Sequence, residues 1–249
     1  MSAFIFGSGS MWAQRTDVAN ATPLPFGIMQ EGSIDFTFSN KPLFGQFQFP
    51  VAVGRGTAKV TGKCKSARIF GRQLNDILFG TTTSTGLLSI ANGEVGTIPA
   101  TPYQVTVANS TTFTDDMGVL YASGANAGQP LVKVASSPIT GQYSVAAGVY
   151  TFAAADTTLG VSISYAYTST GSGNNQKTTV GNPLLGVQPT FQLWFQGQFN
   201  GKAMVIKMLQ CTSSKFSLAT KLEDWTIPEF DFDCFCDASN NLLTYSTPE

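Results

Sequence analysis

Apolar and polar side chains alternate along several short segments of this chain. Ile34, Phe36 and Phe38 occupy every second position, with polar residues between them. This period of two predicts a half-buried strand with one apolar face. Further strands are predicted over residues 56–69, 104–107, 142–145, 149–152, 161–167 and 230–236.

Residues 191–210 carry the clearest hairpin pattern in the chain. Asn200 and Gly201 separate two alternating runs and are typical of a type I′ turn. A turn at this position places Phe195 opposite Ile206, so the apolar faces of both strands coincide.

Only one helix is predicted. Apolar residues recur at helical spacing within residues 72–79, and Gly80 is expected to end the helix. Residues 81–100, rich in Thr, Ser and Gly, are predicted to form a loop.

Two segments near the N-terminus lack regular periodicity. Residues 1–25 are predicted to be an irregular arm, and residues 41–50, with two prolines and a glycine, an extended loop. That loop carries Phe44, Phe47 and Phe49. Two interpretations stay open: the three rings pack onto the chain's own core, or they dock into a neighbouring subunit.

These elements predict an all-β fold, mainly an antiparallel β-sandwich or barrel with one short flanking α-helix. Beyond the arm, residues 26–249 are expected to form a single domain. Residues 101–168 are a β-rich excursion that either completes this domain or decorates it.

Charge is scarce in this sequence. Charged residues make up 12% of the chain, about half the usual share, and the net charge is −1. A surface with so little charge has weak electrostatic protection against association, which suggests that copies of the chain cover one another. The N-terminus has no basic segment, and no run reaches the roughly 20 apolar residues of a membrane span, so neither a secretory signal nor a membrane contact is expected.

The absence of histidine disfavours an enzyme, because histidine is the commonest general base and metal ligand. The neighbouring acids Asp115 and Asp116, like the Glu223–Asp224 pair, are expected to point to opposite faces of a strand. No catalytic, cofactor-binding or metal site is therefore predicted.

Four cysteines occur, and all are expected to be free thiols. Cys234 and Cys236 should point inward from one face of a strand, where they cannot easily form a disulfide with each other. Paired knuckles for a zinc site are missing. The other two are Cys64 and Cys211.

Lys59, Lys63 and Lys65 share one face of the strand at residues 56–69. Three interpretations stay open: a solvated face with long flexible side chains, a contact with a neighbouring subunit, or a contact with nucleic acid.

Seven segments follow one another in an informative order. They are GSIDFTF (32–38), LFGQ (43–46), FPVAV (49–53), KVTGK (59–63), NDILFG (75–80), GVYTFAAAD (148–156) and LEDWTIPEFDF (222–232). In this order they resemble the tail tube, or major tail, protein family of tailed phages and prophages, over most of residues 26–249.

The resemblance implies a structural virion protein of the phage tail, assembled in the cytoplasm of the bacterial host. Copies would form hexameric rings that stack around a lumen, and DNA would pass through it without sequence-specific binding. Other expected partners are terminator, tape measure and distal tail proteins, and no cofactor is expected. Residues 1–25 and 40–56 become the candidates for ring stacking. The candidate contacts between rings or between subunits are Phe44, Phe47, Phe49, Lys59, Lys63 and Lys65.

Two rival functions stay open. One is a capsid decoration protein or another virion β-sandwich. The other is a carbohydrate-binding or adhesion module, suggested by Trp12, Trp194, Trp225 and the tyrosines.

Overall fold

The computed structural model describes residues 5–68, 70–169 and 175–248. Strands form most of the fold and the sheets are mainly antiparallel, so the predicted all-β class is confirmed. In chain order the strands are β1 (Ser10–Arg15), β2 (Leu24–Pro25), β3 (Gly27–Phe44), β4 (Pro50–Arg68), β5 (Thr83–Thr85), β6 (Leu87–Thr97), β7 (Gln104–Thr106), β8 (Phe113–Tyr121), β9 (Val132–Lys133), β10 (Gln142–Ala146), β11 (Val149–Phe152), β12 (Gly160–Ser169), β13 (Gln176–Thr178), β14 (Phe191–Phe199), β15 (Lys202–Ser217), β16 (Glu229–Phe235) and β17 (Leu243–Ser246).

The chain folds into two compact units. The first unit consists of Met1–Thr82 and Thr178–Glu249, and the second unit of Thr83–Lys177. The predicted β-rich excursion at residues 101–168 lies inside the second unit, which extends beyond it at both ends. The segment inserted into the first unit is therefore longer than its strand pattern indicates.

The first unit is built on one eight-stranded sheet. Its strand order is β2-β1-β14-β15-β16-β4-β3, and β17 pairs with β15. One face of this sheet carries the core, because more and less buried positions alternate along β1, along β16 and along the C-terminal half of β4. The largest fully buried side chains of this core are Met11, Phe191, Leu193, Met208 and Phe232.

The hairpin predicted at residues 191–210 is confirmed as β14 and β15. Phe195 lies opposite Ile206 as expected. Asn200 and Gly201 have φ angles of 49° and 75°, the left-handed conformations that a type I′ turn requires.

The predicted helix is also confirmed. It starts as α1 (Gly71–Leu74) and continues as a π-helical turn over Asn75–Phe79. Gly80 ends it with a φ of 62° and donates its backbone N–H to the carbonyl of Asn75. Ile77 packs into the core of the first unit.

The prediction of an irregular arm over residues 1–25 is wrong for its middle part. β1 pairs along its whole length with β14, and Met11 and Ala13 are buried in the core. A six-residue alternation is too short to identify a strand whose partner lies far along the chain. Residues 1–4 lie outside the described residues.

Half of the predicted loop of residues 41–50 is strand as well. β3 runs to Phe44 and β4 begins at Pro50, so only residues 45–49 form the loop. Within the described residues β3 pairs with β4 alone. Pro42 is tolerated in β3 because an edge strand needs hydrogen-bond donors on one side only.

Residues 81–100 are not a loop, since they contain β5 and the eleven-residue strand β6. β6 pairs with β12, but its Leu88 and Ile90 are exposed. Without an inward apolar face, this strand has no alternation for sequence analysis to find. Cys236 is a further correction: β16 ends at Phe235, and Cys236 is exposed instead of pointing inward.

The second unit contains three small sheets, with orders β7-β11-β10-β9, β6-β12-β8 and β5-β13. The predicted strands at residues 104–107, 142–145, 149–152 and 161–167 correspond to β7, β10, β11 and β12. Its core is rich in tyrosine: Tyr121, Tyr143, Tyr150 and Tyr165 are all buried.

Candidate self-association surface

The hairpin of β3 and β4 extends beyond the sheet that carries it. β16 pairs with β4 only from Val60 to Lys65. Every residue from position 35 to position 59 is exposed, whereas Val60 is buried. At about 3.3 Å per residue, the ten exposed residues of β3 span roughly 30 Å. We call residues 35–59 the projecting hairpin.

The projecting hairpin carries many apolar side chains. The phenylalanines predicted as contacts, Phe44, Phe47 and Phe49, are 58%, 70% and 80% exposed. They do not pack onto the chain's own core. The other large exposed apolar residues of this segment are Phe36, Phe38, Leu43, Val51 and Val53.

Local contacts give the projecting hairpin limited support. The guanidinium of Arg55 lies 4.0 Å from the ring centroid of Phe38, and the Ser39 hydroxyl donates to the carbonyl of Thr57 at 3.0 Å. A two-stranded ribbon with no third strand is only marginally stable in water. Such a ribbon gains most from a surface that covers its apolar side chains.

The edge of the same sheet is also open. β3 is the last strand of the sheet order, and within the described residues it pairs on one side only. The backbone N–H and C=O groups on its other side form an unpaired row, which can pair with another strand.

The predicted lysine contacts lie near the base of the projecting hairpin and bind acids of their own chain. Lys59 Nζ lies 2.8 Å from the Asp233 carboxylate, and Lys63 Nζ lies 2.9 Å from that of Glu229. Lys65 pairs with Glu31 on β3. The buried residues Val60, Cys64 and Ser66 alternate with the lysines along β4, so the three lysines share the face opposite the core, as predicted.

Lys215 completes this arrangement, since its Nζ lies 3.3 Å from Glu229 and 4.0 Å from Asp231. Hydrogen bonding to Glu229 raises the pKa of Lys63, and hydrogen bonding to Lys63 lowers the pKa of Glu229. We call these residues of β3, β4, β15 and β16 the charge ladder. Four acids balance four lysines in it: Glu31, Glu229, Asp231 and Asp233 against Lys59, Lys63, Lys65 and Lys215.

The acidic pair in the second unit does not converge, as expected. Asp115 is exposed, whereas the side chain of Asp116 is only 4% exposed. Asp116 accepts hydrogen bonds from the hydroxyls of Tyr143 at 2.8 Å and Tyr150 at 2.9 Å, and it pairs with Lys133 at 3.0 Å.

These contacts determine the protonation state of the Asp116 carboxyl group. Burial acts to raise the pKa of Asp116, but the hydrogen bonds from Lys133 and the two tyrosines outweigh it, so the pKa lies below its usual value. Burial and the bond to Asp116 raise the pKa values of Tyr143 and Tyr150. The arrangement holds an ionised carboxylate in place.

Two of the three tryptophans meet on the outer face of the first sheet. Trp12 and Trp194 are direct cross-strand partners, and Lys207 Nζ lies 5.2 Å from the ring centroid of Trp194. They border a cleft of about 360 Å³ with Gln196. Trp225 does not line this cleft and is 88% exposed.

Sequence reasoning missed a second set of exposed apolar residues in the first unit. Leu184 and Leu185, between β13 and β14, are almost fully exposed, and so is Leu222 before β16. Leucines within Gly- and Pro-rich segments are a usable signal for such surfaces, because loops that face solvent seldom carry them.

No group of three or more His, Cys, Asp or Glu side chains is placed to hold a metal ion in residues 5–68, 70–169 and 175–248. In the same part of the chain, no helix has the length and apolar character needed to cross a bilayer. Comparison with known proteins finds no family model that matches the chain and no curated protein that matches it.

Proposed function

We propose that the chain is the subunit of a phage tail tube, a structural virion protein. In this proposal, copies form hexameric rings, the rings stack, and DNA travels through their lumen into the host cell. The observation that carries the proposal is the projecting hairpin, whose residues 35–59 are exposed and rich in large apolar side chains.

The energetics favour several contacts per subunit. Fully burying a phenylalanine stabilises a complex by about 1.5–3 kcal/mol, so Phe44, Phe47 and Phe49 together supply roughly 5–9 kcal/mol. Association costs about 4–15 kcal/mol in lost translational and rotational freedom. The hairpin tip alone therefore barely offsets that cost, and a stable assembly needs further contacts.

The open edge of β3 is the natural source of those contacts. A head-to-tail contact between unlike surfaces repeats from copy to copy, and it closes into a ring when the rotation permits. The low charge of the chain suits a subunit whose surface is largely covered by its neighbours.

The charge ladder supports the DNA-conducting part of the proposal. Its lysines are paired with acids of the same chain, so they offer DNA little net positive charge. Non-specific DNA binding depends on unpaired basic groups that replace counterions. A conduit with balanced charges lets DNA pass without holding it.

Negative-stain electron microscopy of the concentrated full-length chain tests the proposal. Six-fold rings or stacked tubes are the expected result. Trimers or single particles at every concentration would contradict it and would favour a capsid decoration protein or another virion β-sandwich.

A second candidate function is carbohydrate binding, and the pairing of Trp12 with Trp194 favours it. Half-buried aromatic faces beside an amide such as Gln196 suit a sugar ring, which presents both C–H groups and hydroxyls. Glycan-array binding that is lost in Trp194→Ala, by a chain that stays monomeric, would support this candidate over the tail tube.

A further inference from the structure

Cys211 and Cys234 face each other across two central strands of the first unit. They are direct partners in the antiparallel register of β15 and β16. Their Sγ atoms lie 3.3 Å apart, close enough to be in contact but not bonded. Both side chains point to the core, where Cys211 is fully buried and Cys234 is half-buried.

The backbone geometry of such a pair permits a disulfide. Directly opposite residues in antiparallel strands have Cα atoms about 4.5–5.5 Å apart. Disulfides form when that distance is about 4.4–6.8 Å. The Cα separation expected of this pair therefore lies within the range that a disulfide spans.

We infer that Cys211 and Cys234 are a site of reversible oxidation, at which a peroxide converts two neighbouring thiols into an intramolecular disulfide. The inference rests on the register and contacts of this pair, and it is independent of the proposed function.

The reaction balances with hydrogen peroxide as the oxidant. The more accessible sulfur, that of Cys234, takes one oxygen to become a sulfenic acid and releases water. Cys211 then attacks that sulfur and displaces hydroxide, which takes up the thiol proton and leaves as a second water. Two thiols and one peroxide thus give one disulfide and two waters.

The other two cysteines are internal controls. Cys64 is buried in the same core, but its cross-strand partners are Phe230 and Gly32, so it has no thiol directly opposite. Burial raises the pKa of the Cys64 thiol to about 12, and the contact with Cys234 and burial raise the pKa of Cys211 as well, so the missing partner thiol is what distinguishes Cys64. Cys236 is exposed and open to ordinary surface oxidation.

Mass spectrometry of the reduced full-length chain after mild peroxide treatment tests the inference. Free thiols are alkylated under denaturing conditions before digestion. We expect a cross-linked peptide pair that contains Cys211 and Cys234, formed within one chain and reversed by dithiothreitol. Alkylated Cys211 and Cys234 at a peroxide dose that oxidises Cys236 would overturn the inference, as would a cross-link through Cys236.

Thermal unfolding supplies a readout that needs no variant. A disulfide between Cys211 and Cys234 closes a loop whose ends are 23 positions apart. This loop closure should raise the Tm of the oxidised chain by on the order of 5–10 °C relative to the reduced chain. Cys211→Ser and Cys234→Ser should each abolish the cross-link and the shift, while Cys236→Ser should retain both. An unchanged Tm in a fully cross-linked chain would contradict a disulfide that stabilises the pairing of β15 with β16.

Discussion

Phe36 lies directly opposite Val60 in the register of β3 and β4, yet Val60 is 4% exposed and Phe36 is 45% exposed. The pair marks the point at which the hairpin leaves the sheet. Ile34, two residues earlier on the same face, packs against the core. The apolar alternation of β3 thus continues for several residues beyond Ile34, where the strand no longer contacts the core.

Removing apolar side chains at the tip should prevent assembly without affecting the fold. In the double variant Phe47→Ser and Phe49→Ser we expect a monomer at concentrations at which the wild-type chain associates. Its free energy of unfolding as a monomer should change by no more than about 0.5 kcal/mol, because both side chains are exposed. Sedimentation velocity and chemical denaturation measure the two quantities.

Ile139→Ser is the matched control, since Ile139 is 67% exposed and lies in the second unit. It should associate like the wild-type chain. If Ile139→Ser lost association as fully as the double variant, general surface hydrophobicity would cause the association, and the projecting hairpin would have no special part in it.

Neutralising acids of the charge ladder should create DNA binding. The double variant Glu229→Gln and Asp233→Asn leaves Lys59 and Lys63 without their partners. We expect it to bind duplex DNA with a log–log salt slope of about −2, as two freed cations replace two counterions. Fluorescence anisotropy at about 50 and 200 mM salt measures the slope.

Glu223→Gln with Asp224→Asn changes the net charge equally, at acids that form no ion pair with a lysine in the described part of the chain. This control should bind DNA as weakly as the wild-type chain. Tight DNA binding by the wild-type chain itself would show that the ladder does not neutralise its lysines.

Asp116 should make the second unit sensitive to acid. Its pKa is lower in the folded chain than in the unfolded chain, so the unfolded state binds its proton first as the pH falls. The stabilisation is complete above about pH 4, the ordinary value of an aspartate, and is lost as the pH falls through the lower folded value. Thermal unfolding followed from neutral pH down to about pH 2 reports this loss.

Asp116→Asn should remove the pH dependence of stability that Asp116 causes. It should also destabilise the second unit by about 2 kcal/mol at neutral pH, because it weakens the charged hydrogen bonds to Tyr143, Tyr150 and Lys133. Asp115→Asn, at the exposed neighbouring position, should leave both properties unchanged. Similar effects in the two variants would contradict the special environment of Asp116.

Gly62 should be intolerant of any side chain. A Cβ at this position of β4 would collide with the ring of Phe232, which is fully buried and cannot move aside. We expect Gly62→Ala to destabilise the first unit by about 1–3 kcal/mol through overpacking. Gly54→Ala, in the same strand, meets only the Lys41 carbonyl at 4.0 Å and should be neutral in the same denaturation measurement.

The parts of the fold that sequence analysis predicted depend on local signals. Asn200 and Gly201 specify their turn by backbone preference, and the flanking apolar runs agree on a register. Gly80 likewise ends the helix through its own conformational freedom. These features need no information about distant residues.

The parts that sequence analysis missed depend on partners far along the chain. β1 is a strand because β14, almost 180 residues later, provides its hydrogen bonds and the cover for Met11. Cys211 and Cys234, 23 positions apart, meet only through the register in which β15 and β16 pair. The Phe44, Phe47 and Phe49 positions were predictable as an unusual surface, but the length of the projecting hairpin was not.

Amide hydrogen exchange across residues 35–59 tests most directly whether copies of the chain cover the projecting hairpin. We predict fast exchange of the outward-facing amides in dilute protein, and protection that rises with concentration as six-fold rings form. Exchange in this segment that stays equally fast at every concentration, in a chain that remains a single molecule, would contradict the account.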